Sequence, residues 1–285
     1  MWTQKLIETE RGTFEYFEKG EGEPLAVTHL YSEYDQRGNT FATPFTNYYK
    51  VHLINLRGAG NSISATSEEQ YSMAQSVLDL EAIRAALKLE KWSFAGHSAG
   101  GMLALKYVVM FPESLIKIIA GGAAASFEYA KDPGSIYCSK NPNFTRIIEL
   151  MESLNNSGTS VEERRKLGYE WSLMSYVSEE KLQESLKIPN SGKTVGPRLD
   201  YFRKIEYPTY DVREQLNAVS KPCFIYAGRF DAQCPMKYGK EIASLIRNSQ
   251  FTLFEQSNHN PFSEEQDKFD EFVLGTTKET VLQAN

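Results

Sequence analysis

The stretch Trp92-Ser93-Phe94-Ala95-Gly96-His97-Ser98-Ala99-Gly100-Gly101-Met102 decides how this chain folds. The apolar run Trp92, Phe94, Ala95 reads as a buried strand, and Met102, Leu103, Leu105 and Val108 follow at helical spacing. Between them stands Gly-x-Ser-x-Gly. A sharp strand-to-helix turn of this kind holds a serine in strained backbone geometry and pushes its hydroxyl out of the sheet. Gly96 and Gly100 lack a Cβ, so strand and helix can pass closely on either side of Ser98.

The flanking sequence supplies the sheet. Residues 3–8 and 13–19 read as antiparallel strands joined by a turn at Arg11-Gly12. Leu25–Thr28 and Val51–Leu56 are short apolar strands, and Ser72–Leu87 carries Val77, Leu80, Ile83 and Leu87 at helical spacing. Leu115–Ala120 is the next buried strand. Strands alternating with helices predict a mostly parallel sheet covered on both faces. From about residue 127 to 212 that rhythm stops. Phe144, Ile147, Ile148, Met151 and Leu154 form a helical stripe, Ser160-Val161-Glu162-Glu163 reads as a capping box, and Ser178 opens a third helix. We read 127–212 as an inserted helical cap, or lid, with 1–126 and 213–285 forming the core. The alternation resumes with strand 222–227, helix 236–246, strand Phe251–Phe254 and a helix from about Ser263 to Leu274. A polar tail over 275–285 is expected to fray.

A serine hydroxyl is a weak nucleophile until a base takes its proton, and that base needs an orienting acid. In a parallel sheet, residues just beyond the carboxyl ends of strands gather at one edge. Strand 222–227 runs into Gly228-Arg229-Phe230-Asp231, and strand 251–254 runs into Glu255-Gln256-Ser257-Asn258-His259. Ser98, Asp231 and His259 are therefore expected to meet. Glu255 closes its strand and is the competing acid, whereas Asp79 and Glu81 lie mid-helix. Only four histidines compete for the base. His52 lies inside a strand as a satisfied packing residue, His97 is expected to point away across the elbow, and His29 belongs to a loop. His259 is the base by position and elimination. A tetrahedral intermediate also needs two donors. One is the backbone N–H of Ala99, the other comes from the loop His29-Leu30-Tyr31-Ser32, where we place it at the Tyr31 N–H.

Composition narrows the partners. The 285 residues carry 31 basic and 37 acidic side chains, net −6, with no basic cluster, so nucleic acid is an unsuitable partner. No run of 18 or more apolar residues marks a membrane span, and the first residues do not read as a secretory signal. Cys138, Cys223 and Cys234 make no CxxC pair, which fits a reducing cytoplasm. No metal-ligand spacing and no cofactor motif are found.

Several segments together resemble the α/β-hydrolase superfamily over about residues 13–274. They are Asn55-Leu56-Arg57-Gly58-Ala59-Gly60-Asn61-Ser62 (the D-x-R-G-x-G-x-S loop, with Asn first), Asp79–Ile83, Gly96–Gly101, Gly228–Asp231 and Ser257–Phe262. The resemblance implies the α/β-hydrolase fold, a helical cap, and Ser98, Asp231 and His259 as nucleophile, acid and base. The region from Asp211 to Glu265 is similar to proline-iminopeptidase-like members. Those typically have H-G-G-P-G where this chain has His29-Leu30-Tyr31-Ser32-Glu33, and often G-G-S-W-G at the elbow. The expected activity is hydrolysis of a small or medium carboxylic ester through an acyl-enzyme. Removal of N-terminal proline is the alternative and requires a cap carboxylate, with Glu170 or Asp200 as candidates; lactone hydrolysis is a variant. A ligand-binding signalling protein on the same scaffold is the non-enzymatic alternative. The elbow serine argues against a dehalogenase, which generally uses Asp.

Overall fold

The computed structural model describes residues 1–156 and 158–278; most of the expected fraying tail, 279–285, lies outside the described residues. Eight strands form one sheet: β1 (Thr3–Thr9), β2 (Gly12–Lys19), β3 (Glu23–Val27), β4 (Tyr49–Ile54), β5 (Trp92–His97), β6 (Leu115–Gly121), β7 (Cys223–Gly228) and β8 (Ser249–Phe254). Their spatial order is β1-β2-β4-β3-β5-β6-β7-β8. The first two strands pair antiparallel, β2 pairs antiparallel with β4, and from β4 onward every neighbour is parallel.

Parallel strands covered on both faces bury successive residues in opposite directions. Phe94, Ile118, Cys223 and Ile225 join one apolar cluster, while their neighbours Ala95, Ile119, Phe224 and Tyr226 join the other. The first cluster also takes Val77, Leu80 and Ile83 from helix α1 (Met73–Ala86) and Leu103, Tyr107 and Val108 from α2 (Ala99–Met110). On the opposite face the packing is aromatic. Tyr226, Phe254, Phe269 and Phe272 meet with ring centroids 5.3–6.0 Å apart, a geometry that adds to the value of their burial.

Between β6 and β7 the chain passes through α3 (Phe144–Asn155), α4 (Val161–Leu173), α5 (Glu179–Ser185) and α6 (Gly196–Tyr201). Serine hydroxyls start two of these helices. Ser160 accepts from the Glu163 N–H and Ser178 from the Lys181 N–H, each at 3.2 Å. Ile136, Ile147 and Leu150 form a small apolar core of their own, but Tyr129, Phe202 and Tyr210 pack into the main core at either end of the insertion. α7 (Arg213–Leu216) leads into β7, and beyond β7 come α8 (Met236–Leu245), α9 (Pro261–Glu264) and α10 (Gln266–Thr276). The single helix expected near Ser263–Leu274 is thus two, broken at Glu265, whose backbone is non-helical. No helix among the described residues is long and apolar enough to cross a membrane.

Candidate active site

Ser98 stands between β5 and α2 at φ 55°, ψ −125°, a conformation costly for any residue with a Cβ. Its N–H donates to the Gly121 carbonyl at 2.8 Å, and its carbonyl accepts the first α2 bond, from Met102, at 3.1 Å. The surroundings leave no room for side chains at the flanking glycines. A Cβ on Gly96 would lie 2.0 Å from the Gly100 oxygen, and one on Gly100 would lie 2.6 Å from the Thr28 oxygen. The second of these contacts brings the start of α2 against the loop after β3.

Asp231 and His259 are 5% exposed each. His259 Nδ1 lies 2.9 Å from Asp231 Oδ2 and 3.0 Å from Oδ1. Oδ1 also accepts the Gln233 and Cys234 N–H groups at 2.9 and 2.8 Å. The carboxylate is thereby fixed on three sides. The competing acid, Glu255, is exposed and ion-paired to Arg229, so it is not the partner of His259. Asp79 is buried between Arg57 and Arg11 at 2.8 and 2.7 Å, and Glu81 is held by Arg84, Tyr107 and Ser114; both are structural.

Ser98, His259, Ala99 and Tyr31 line one cavity of about 1600 Å³. Ala99 begins α2, where the first backbone N–H groups have no intrahelical acceptor. Tyr31 N–H faces His29 Nδ1 at 3.4 Å, a long contact near the limit for a hydrogen bond. His97 departs from expectation. Its ring does not turn away across the elbow but lies 4.5 Å from the His259 ring and lines the cavity. Its Nδ1 is 2.9 Å from the Tyr226 hydroxyl, and its buried Nε2 has no hydrogen-bond partner among the described residues. Burial, followed by the nearby His259, holds His97 well below the usual imidazole range. Burial likewise brings His29 down to about 3. Both rings beside the site are neutral at ordinary pH. His52, read as a satisfied packing residue, is buried, but among the described residues its Nδ1 has no hydrogen bond and faces Glu18 at 3.6 Å.

Contacts that sequence reading missed tie the insertion to both halves of the site. Ser32–Glu33 pairs antiparallel with Lys193–Thr194, and Val195 N–H donates to the Tyr31 carbonyl at 2.8 Å. Arg198, 1% exposed, donates to the Leu30 carbonyl, to the Arg57 carbonyl at 3.0 Å and to Ser76 Oγ at 2.6 Å. On the other side, Asn260 Nδ2 donates to the Ser175 carbonyl at 3.0 Å, and His259 N–H to the same carbonyl at 3.2 Å. Glu264 accepts the Val177 N–H at 2.7 Å and the Asn258 N–H at 2.9 Å. The polar residues flanking His259 were the visible signal for this second set. Arg198 had none beyond its place after Gly196-Pro197. Neither Glu170 nor Asp200 lines the cavity: Glu170 pairs with Arg146 at 2.6 Å and Asp200 with Lys204 at 3.1 Å.

Residues 32–266 match the family model described as the alpha/beta hydrolase fold. The chain belongs to this family. It is a hydrolase by its relatives as well as by its fold. An alpha/beta fold family hydrolase from Bacillus anthracis str. Sterne superposes with a TM-score of 0.96 at 61% identity, covering 97% of this chain and 99% of that one. A pimeloyl-[acyl-carrier protein] methyl ester esterase of Aliivibrio fischeri is 24% identical over 88% of this chain and 92% of its own length. A proline iminopeptidase of Saccharolobus solfataricus is 24% identical over 76% of this chain and 72% of its own. Among the described residues of this α/β-hydrolase, no group of three His, Cys, Asp or Glu side chains is placed to hold a metal ion.

Proposed function

We propose that this α/β-hydrolase cleaves small or medium carboxylic esters through an acyl-enzyme, with Ser98 as nucleophile, His259 as base and Asp231 as the acid that orients it. The observation that carries the reading is the buried Asp231–His259 pair, at 2.9 Å, whose His259 lines the same cavity as a serine held at positive φ. Ser98 Oγ attacks the acyl carbon while His259 Nε2 takes its proton. The oxyanion is held by the N–H groups of Ala99 and Tyr31, each worth about 3–4 kcal/mol to the chemical step. Collapse breaks the ester C–O bond, and the imidazolium protonates the leaving alkoxide. Water then enters, gives its proton to His259, and releases the acid and free Ser98.

Residues 127–212 form the cap over this chemistry. Three unpaired, buried thiols fit a cytoplasmic setting. Ester chemistry is supported over peptide chemistry by the cavity wall, where no Asp or Glu is found among the described residues to receive a substrate's free amine. A fluorophosphonate probe tests the reading. We expect one adduct, on Ser98, located by mass spectrometry, and neither adduct nor ester turnover in Ser98→Ala. A folded Ser98→Ala protein that keeps full esterase activity would overturn it.

A further inference from the structure

The chain carries more acidic than basic side chains, 37 against 31, yet the charged residues lining the cavity are Arg37, Arg164, Lys187, Lys193 and Arg203, all cationic. Most of these are accounted for. Arg37 is exposed and pairs with Asp35 at 2.7 Å, and Lys193 is exposed and faces Glu33 at 3.7 Å. Arg164 donates to the backbone carbonyls of Leu154, Asn156 and Thr159. Lys187 is exposed at the rim. Arg203 differs from all four. It is half-buried, and among the described residues it has no carboxylate, carbonyl or hydroxyl partner within hydrogen-bond distance.

Local backbone explains how a guanidinium comes to sit there. After α6 the helix widens to a π-turn over Phe202–Glu206. The extra residue in such a turn changes which side chains share a face, and π-turns recur at functional sites. Here two successive residues, Phe202 and Arg203, both line the cavity. Phe202 packs on Tyr31 with ring centroids 5.9 Å apart, which places this wall beside the loop after β3. Tyr31 and Tyr137 line the same cavity as Arg203. Tyr137 in turn donates to Gln233 Oε1 at 2.7 Å, and the Gln233 N–H is bonded to Asp231. Arg203 thus shares the cavity wall with Tyr31, from the loop after β3, and with Tyr137 and Gln233, which adjoin the Asp231 loop.

A half-buried guanidinium without a partner retains only part of its hydration and gains most from an anion that arrives with the substrate. We propose that Arg203 is a specificity-determining anion subsite, and that the ester this enzyme takes carries a compact anionic group, a carboxylate or a phosphate, remote from its scissile carbonyl. The fork geometry of arginine suits either group bidentately. This rests on the serine-esterase reading above, and its test separates the two.

The substrates are monomethyl esters of linear dicarboxylic acids from succinate to suberate, the ω-phosphorylated methyl esters of the same lengths, and neutral methyl esters of matching monocarboxylic acids. We expect kcat/KM for one anionic series to exceed the matched neutral esters by about tenfold or more at low salt. Arg203→Gln should abolish that preference chiefly through KM and leave the neutral esters unchanged, while Arg203→Lys keeps part of it. The better anionic series identifies the group. In parallel, the free dicarboxylates and the phosphorylated acids should slow fluorophosphonate labelling of Ser98 in the wild type and not in Arg203→Gln. Labelling with neither protection nor anion preference overturns the subsite alone. Absence of labelling at Ser98 counts against the esterase reading itself.

Discussion

The Asp231 carboxylate takes hydrogen bonds from Gln233 N–H, Cys234 N–H and His259 Nδ1. The first two are met by an amide oxygen as well as by a carboxylate, but the third is not. In Asp231→Asn the new NH2 would face Nδ1, and the imidazole would have to accept there and carry its proton on Nε2, where it cannot act as a base. We expect kcat to fall by about 10⁴-fold with little change in KM. Thermal denaturation should move little, because the turn that holds residue 231 keeps its backbone bonds. An Asp231→Asn enzyme within tenfold of wild type in ester turnover would exclude Asp231 as the orienting acid. The pairing of Asp231 with His259 was legible because each follows a strand end and few acids and histidines in the sequence compete for those places. His97 was not legible: which way the ring beside the nucleophile turns depends on the Tyr226 hydroxyl, 129 positions away. Asn55 was visible as a departure from the family's Asp, but its reason was not. Its Nδ2 donates at 2.7 Å to Glu15, a buried carboxylate satisfied by amide donors, where a second carboxylate would repel it.

Strands with alternating burial and helices opened by Ser72, Ser160 and Ser178 were readable because periodicity and capping are local signals. The two-residue strands Ser32–Glu33 and Lys193–Thr194 have neither, being too short for a period and paired across more than 150 positions. That pairing matters, because it begins a clamp on the loop after β3. The Leu30–Tyr31 peptide is a rigid plane. Arg198 holds its carbonyl, so the opposite side of the same plane, the Tyr31 N–H, has a fixed direction. On the proposed mechanism, in which the Tyr31 N–H is an oxyanion donor, Arg198 is a positioning residue that acts through the backbone. Burial lowers its pKa only to about 10, so it stays charged. Arg198→Met leaves the Leu30 and Arg57 carbonyls without their donor. We expect kcat to fall about 10- to 100-fold, less than deletion of an oxyanion donor outright, with KM little changed. Binding of a boronic acid that mimics the tetrahedral intermediate should weaken in step with kcat. Millimolar guanidinium should restore part of the rate to Arg198→Gly, a rescue that a purely structural loss would not permit. Unchanged kcat and unchanged boronate affinity would remove Arg198 from the catalytic geometry.

Three of the four histidines, His29, His52 and His97, have their imidazoles held low, and this couples the stability of the molecule to pH. Burial is the leading cause in each case, taking His52 to about 4 and His29 to about 3, with His97 also well below its usual range. His52 faces Glu18, Lys50 and Lys5, and the attraction of Glu18 does not offset the desolvation. In the unfolded chain these rings titrate near 6.5. Between that value and about 4 the unfolded state holds more protons than the native state, so stability rises with pH across the window. The contribution is complete above about pH 6.5 and is lost as pH falls through the folded values. For His52 alone roughly 2 kcal/mol is gone by pH 5, at 1.36 kcal/mol per unit. Glu206 and Glu264, raised by burial, act in the opposite sense, while the lowered carboxyls of Glu15 and Glu18 extend the loss toward lower pH. We expect the denaturation midpoint to drop clearly between pH 7 and pH 5, and the drop to be smaller in His52→Leu than in the wild type. His52 lies in β4, away from the cavity, so ester turnover at neutral pH should survive the change. Equal slopes in the two proteins would mean that His52 takes up its proton without unfolding the sheet around it, through a rearrangement toward Glu18 that the folded structure does not contain.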